Sequence, residues 1–144
     1  MLSLDNYIPH RKEMSLLTNI VEVNDDYGKC EVIITPKSMF YDLKWNGVYN
    51  LIGIEYMAQT IAVYGGFNGG SKSIGLLLSV RKYNCHVPFF TDQSSLTIIA
   101  EKLYTEGGLG VFDCFIEVDQ KKIATARLNT LQPSQELIND MFNY

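Results

Sequence analysis

Asn50-Leu51-Ile52-Gly53-Ile54-Glu55-Tyr56-Met57-Ala58-Gln59-Thr60-Ile61-Ala62-Val63-Tyr64-Gly65-Gly66 is the only long helical stretch legible in this chain, and its reading decides the fold. Asn50 suits the N-cap, where a short polar side chain can serve the N–H groups that a helix start leaves open. The Gly65-Gly66 pair predicts the stop. Between them, apolar residues cover almost every face instead of forming one stripe. A helix of that kind is buried on all sides. It therefore needs a surface that wraps it.

The flanking sequence supplies such a surface. Ahead of the helix, Met14 to Val23 alternates weakly and ends at the turn-forming Asn24-Asp25-Asp26-Tyr27-Gly28. Lys29-Cys30-Glu31-Val32-Ile33-Ile34-Thr35 is rich in β-branched residues and is stopped by Pro36, so the two segments predict a hairpin. Lys37 to Asn50 reads as a loop. Beyond the glycine-rich Gly69-Gly70-Ser71, strands are predicted over Ile74 to Tyr83, Ser95 to Tyr104, Leu109 to Val118 and Lys122 to Leu131. Glu106-Gly107-Gly108 and Asp119-Gln120-Lys121 form hairpin turns between the last three. Pro133 ends the sheet, and Ser134 to Phe142 suits a short amphipathic tail helix. Two strands, one buried helix and four strands form an α+β arrangement: a long antiparallel sheet curled around one central helix, the hot-dog architecture, in one domain over residues 1–144. A curled sheet leaves one flank of its helix open, so dimers are expected.

Composition narrows the function. The chain has 144 residues, 47% of them hydrophobic, enough for a true core. Its net charge of −4 offers no basic field for nucleic acid or anionic lipid. The start, Met1-Leu2-Ser3-Leu4-Asp5-Asn6, lacks the pattern of a signal peptide, and the longest apolar run is too short and too polar for a membrane span. Cys30, Cys85 and Cys114 are odd in number and have no CxxC spacing. They predict buried core thiols in a reducing cytoplasm, with neither disulfides nor a metal site. No GxGxxG, Walker or nucleophile-elbow phrase is present.

Glu55 stands out because a carboxylate among apolar helix residues is costly to bury unless its pKa rises, and a carboxyl near neutrality can give or take a proton. Gln59 follows one turn later on the same face and can orient it. The plainer alternative is a Glu55 that simply faces water.

Four segments resemble the hot-dog 3-hydroxyacyl-acyl-carrier-protein dehydratases. They are Tyr7-Ile8-Pro9-His10-Arg11-Lys12-Glu13-Met14-Ser15-Leu16-Leu17, the helix phrase Ile52-Gly53-Ile54-Glu55-Tyr56-Met57-Ala58-Gln59, the strand break Tyr83 to Gln93 containing Val87-Pro88, and Ile123-Ala124-Thr125-Ala126-Arg127. Asn46-Gly47-Val48 ahead of the helix is similar to the branch found in aryl-polyene clusters. The resemblance implies removal of water from 3-hydroxyacyl thioesters in fatty acid or polyene synthesis. The substrate would be carried on phosphopantetheine by an acyl carrier protein, with no further cofactor.

The resemblance also implies roles for single residues. Glu55 would be the acid. The donor to the thioester carbonyl would be a backbone N–H at the helix start, which falls on Asn50 and gains from the helix dipole. Gln59, Tyr41 and Trp45 would line the substrate site, Trp45 as a packing anchor or tunnel wall. The family's base is a histidine fourteen residues before the helix carboxyl, and here that position is Tyr41. A phenol, with a pKa of about 10, is poorly matched to that task. His10 could take the base role, or be a structural histidine. His86 sits at a strand break. A histidine-bearing hot-dog paralogue could instead donate the base across a heterodimer interface; a homodimer is the other arrangement. Asp42 is a possible substitute acid. Arg81, Lys82 and Arg127 could meet a phosphate or an acidic carrier, or be solvated strand residues. Two other functions compete: a non-catalytic subunit that stabilises an active partner, and an acyl thioesterase using the same carboxyl to activate water.

Overall fold

The computed structural model describes residues 15–69, 76–131 and 139–140. Six strands form one antiparallel sheet: β1 (Asn19–Val23), β2 (Tyr27–Ile33), β5 (Leu76–Cys85), β7 (Ser95–Glu106), β8 (Leu109–Val118) and β9 (Lys121–Leu131), in the order β1-β2-β7-β8-β9-β5. Three short strands, β3 (Tyr41–Asp42), β4 (Gly47–Tyr49) and β6 (Phe89–Thr91), make a second antiparallel sheet in the order β3-β4-β6. The helix α1 spans Ile52–Gly69. The tail helix expected over Ser134 to Phe142 lies outside the described residues except at 139–140.

The period of two expected of a half-buried sheet is plain in the long strands. Cys30 and Val32 in β2, Leu96, Ile98 and Ala100 in β7, and Phe112, Cys114 and Ile116 in β8 are buried, and the residues between them are more exposed. Burying an aliphatic side chain such as Ile98 contributes roughly 1.5–3 kcal/mol. Ala100, Cys114, Ala124 and Ala126 keep the inner face low, so α1 lies close to it. Its approach to β2 is closer still: a Cβ at Gly28 would come within 3.3 Å of the Thr60 carbonyl oxygen and of Tyr64 Cβ. Burial pushes the Cys30 thiol up to about 12 and raises the Cys114 thiol too, as for core groups. All three cysteines are free.

Two-residue connections join β7 to β8 and β8 to β9. In the second, Asp119 and Gln120 have φ of 51° and 66°, the left-handed pair that a tight hairpin requires.

The structure corrects the helix in two respects. First, α1 runs three residues past Gly65-Gly66. The Tyr64 hydroxyl donates to the Asp25 carbonyl at 2.7 Å, and Asn68 Nδ2 donates to the Asn24 carbonyl at 3.1 Å. Those carbonyls belong to the β1–β2 turn, where Asn24 Oδ1 accepts the N–H groups of Asp26 and Tyr27. Contacts with a distant turn thus outweigh the glycines' loss of about 1 kcal/mol each in helix propensity. Second, burial is not complete around the helix. Tyr56, Met57, Thr60, Val63 and Tyr64 are buried, whereas Ile54, Ala58 and Ala62 are partly open and Leu51 and Phe67 are exposed.

The segment Lys37 to Asn50 is also more than a loop, because it contributes β3 and β4 to the small sheet. Val48 pairs with Phe90, and both are buried. Strands of two or three residues are too short to show a period, so sequence pattern alone misses them.

Candidate active site

Glu55 stands in the first turn of α1 and is partly buried. Gln59 Nε2 donates to Glu55 Oε1 at 3.3 Å, and Gln59 Oε1 accepts the Leu16 N–H at 2.8 Å. The buried Gln59 amide therefore links the carboxyl to the chain entering β1. This joins the two residues that sequence spacing placed on one face. Leu16 had no signal of its own, because its part is played by a backbone N–H.

Asn50 precedes the helix and holds it to the segment between β5 and β6. Its N–H donates to the Pro88 carbonyl at 3.1 Å, and its Nδ2 donates to the Val87 carbonyl at 2.9 Å. Its carbonyl accepts the Gly53 N–H at 3.0 Å and the Tyr83 hydroxyl at 2.5 Å. The N–H expected to meet a thioester carbonyl is thus already occupied. Among the described residues, the N–H groups of Leu51 and Ile52 have no partner, as the first turn of a helix leaves them. Tyr83 is a functional candidate that sequence reasoning missed. Nothing in a strand pattern says where a tyrosine hydroxyl ends.

Tyr41 lies in β3, paired with Val48 of β4. Burial, with the Asp92 carboxylate adding to it, raises its phenol above the ordinary value, so it is further still from acting as a base at neutral pH. The residue before it, Phe40, is exposed and has φ 68°, a strained setting for a bulky side chain. Trp45 is exposed and stacks on Phe89 with ring centroids 5.4 Å apart. No hydrogen bond joins Tyr41 or Trp45 to Glu55 among the described residues.

Asp42 is exposed, and its Oδ1 accepts the Lys44 N–H at 2.8 Å, a turn-forming bond. His86 is exposed in the β5–β6 link, with its N–H on the Ile123 carbonyl. His10 lies outside the described residues. Arg127 faces Asp113 across β8 and β9 in a two-bond pair, at 2.9 and 3.4 Å, while Arg81 and Lys82 are exposed on β5. A groove of about 470 Å³ opens between the approach to β1 and the end of β2, floored by Tyr56 and bordered by Leu16, Lys37 and Met39. Among the described residues no cluster of three or more side chains could hold a metal ion, and no helix is long and apolar enough to cross a membrane.

A family model described as ApeP-like, ApeP dehydratase, matches residues 2–143. Among solved structures, the chain is similar to one of the dehydratase heterocomplex ApeI:P from Xenorhabdus doucetiae, with a TM-score of 0.91 and 31% identity, over 100% of this chain and 99% of that one. It also shares its fold with the PaaI protein of the E. coli phenylacetic acid degradation operon, at TM-score 0.64 and 15% identity, covering 78% of this chain and 81% of that one. A hypothetical thioesterase with coenzyme A from Streptococcus pneumoniae is a further fold neighbour, at TM-score 0.63 and 14% identity, covering 81% and 86%. Among curated protein sequences none matches.

Proposed function

This chain belongs to the ApeP-like dehydratase family, and from that premise we propose that it is one half of a two-chain enzyme removing water from 3-hydroxyacyl groups held as thioesters on an acyl carrier protein. One observation carries this reading: Glu55 is held by Gln59 in the first turn of the central helix, while the position fourteen residues ahead of it is a tyrosine whose phenol is raised, not lowered. An acid whose chain lacks a histidine at the family's base position suits a composite site, and the likeness to a dehydratase heterocomplex over the whole chain supports it.

In this mechanism a histidine from a hot-dog paralogue takes the proton beside the thioester carbonyl. Glu55 protonates the departing hydroxide, so water leaves and an enoyl thioester remains. Charge building on the carbonyl oxygen is met at the start of α1. With the Asn50 N–H committed to Pro88, the donors there are the N–H groups of Leu51 and Ile52. The substrate arrives on phosphopantetheine, and the step calls for no other cofactor. Tyr41 and Trp45 line the approach, in the segment just ahead of the helix.

The missing histidine also favours a second reading, in which this chain only stabilises an active partner. One experiment separates the two. The purified chain, alone and with its paralogue, is incubated with a 3-hydroxyacyl carrier protein, and water loss is followed by mass. The pair should dehydrate and the single chain should not. Glu55→Ala in the pair should abolish dehydration, whereas unchanged turnover would leave this chain a structural role. His10→Gln in the pair should retain activity if the partner supplies the base. Its loss, or dehydration by the isolated chain, would move that role to this chain.

A further inference from the structure

The first turn of α1 is braced from both outer strands of the six-stranded sheet. On one side, the chain entering β1 reaches Glu55 through the Leu16 N–H and the Gln59 amide. On the other, Tyr83 of β5 donates its hydroxyl to the Asn50 carbonyl at 2.5 Å. Asn50 is held further by Pro88 and Val87, at 3.1 and 2.9 Å, so three bonds tie it to the chain running from β5 to β6. β1 and β5 are the two edges of the sheet.

The hydroxyl reaches that carbonyl only because residue 53 is glycine. A Cβ there would collide with Tyr83 Oη and would lie 2.9 Å from Ile116 Cδ1 and 3.0 Å from Phe90 Cζ. Tyr83 is itself partly buried, and burial raises its phenol from the ordinary value, with Cys85 adding to the effect. The group therefore stays protonated, and a donor, at any working pH.

We infer that Tyr83 is a positioning residue for Glu55, acting through the Asn50 carbonyl that its hydroxyl clamps. This rests on the acid role proposed for Glu55. The first turn begins with tight i to i+3 bonds, Gly53 N–H to the Asn50 carbonyl at 3.0 Å and Ile54 N–H to the Leu51 carbonyl at 3.2 Å. Such a turn can unwind or rewind by one hydrogen-bond step. The clamp fixes Asn50, and with it the rotation and rise at which the carboxyl five residues later leaves the helix. No other hydrogen bond from the β5 side reaches that carbonyl among the described residues.

Tyr83→Phe removes only the hydroxyl. In the assembled pair it should lower kcat about tenfold or more, since a misplacement of about 1 Å can cost roughly a hundredfold. KM should stay within about twofold, because substrate binding does not use this bond. Melting temperature should fall by no more than the few degrees that one hydrogen bond is worth, pairing should match the wild type, and amide hydrogen exchange at residues 53 and 54 should quicken. Gly53→Ala, which displaces the hydroxyl from the other side, should lower kcat in the same way.

Wild-type kcat for Tyr83→Phe in an intact pair would overturn the inference. So would a joint fall of kcat, melting temperature and pairing, which would make Tyr83 a general structural residue. If the wild-type pair itself removes no water, the dehydratase reading fails, and exchange then decides alone. Quickened exchange at residues 53 and 54 upholds the clamp, and unchanged exchange overturns it.

Discussion

An amide buried in an apolar helix is tolerable only when its polar atoms are used, and Gln59 uses its oxygen on Leu16 and its nitrogen on Glu55. Gln59→Leu, close in volume, should leave the Leu16 N–H without its acceptor. The expected destabilisation is about 1–3 kcal/mol, read from urea unfolding. Turnover of the pair should also fall, since the carboxyl loses its tether. The spacing of Glu55 and Gln59 made their partnership legible from the chain alone. Asn50 was legible only as a residue suited to a helix start. That its N–H and amide turn toward Pro88 and Val87 follows from the link between β5 and β6, which lies more than thirty residues on.

Among the elements, α1 shows how tertiary contacts override a local stop signal. Gly65-Gly66 would end an isolated helix, but Tyr64 and Asn68 secure the next turn to the carbonyls of Asp25 and Asn24. Tyr64→Phe keeps the ring against Phe112, at 5.4 Å between centroids, and loses only the hydrogen bond. It should destabilise the protein by about 1 kcal/mol and quicken amide exchange over residues 65–69, with the strands unaffected. Exchange as slow as the wild type would show that packing alone holds the helix end. The long strands were legible because many residues repeat one alternation, whereas β3, β4 and β6 are held by pairing partners distant in sequence.

The whole molecule leaves apolar side chains concentrated on one segment: Phe40, Leu43, Trp45, Tyr49 and Leu51 are all exposed, and Trp45 and Tyr49 both pack against Phe89. Several large apolar side chains exposed along one segment mark an interaction surface more often than the same residues scattered singly do. Under the two-chain reading it is the face that meets the paralogue. Leu43 is 77% exposed, so Leu43→Asp should fold as the wild type does. It should weaken pairing by about 1.4 kcal/mol or more, a factor of about ten in Kd, measured by titrating one chain into the other. An unchanged Kd would place the partner elsewhere.

The amino-acid sequence by itself determined the fold class and the pairing of Glu55 with Gln59, because both are written in short-range periodicity: alternation along strands, and an acid and an amide one helical turn apart. What anchors the Gln59 amide, which N–H groups remain free at the helix start and where the helix ends were decided only by the tertiary structure. Those outcomes depend on hydrogen bonds between residues 33 to 44 positions apart, and no local pattern records such pairs.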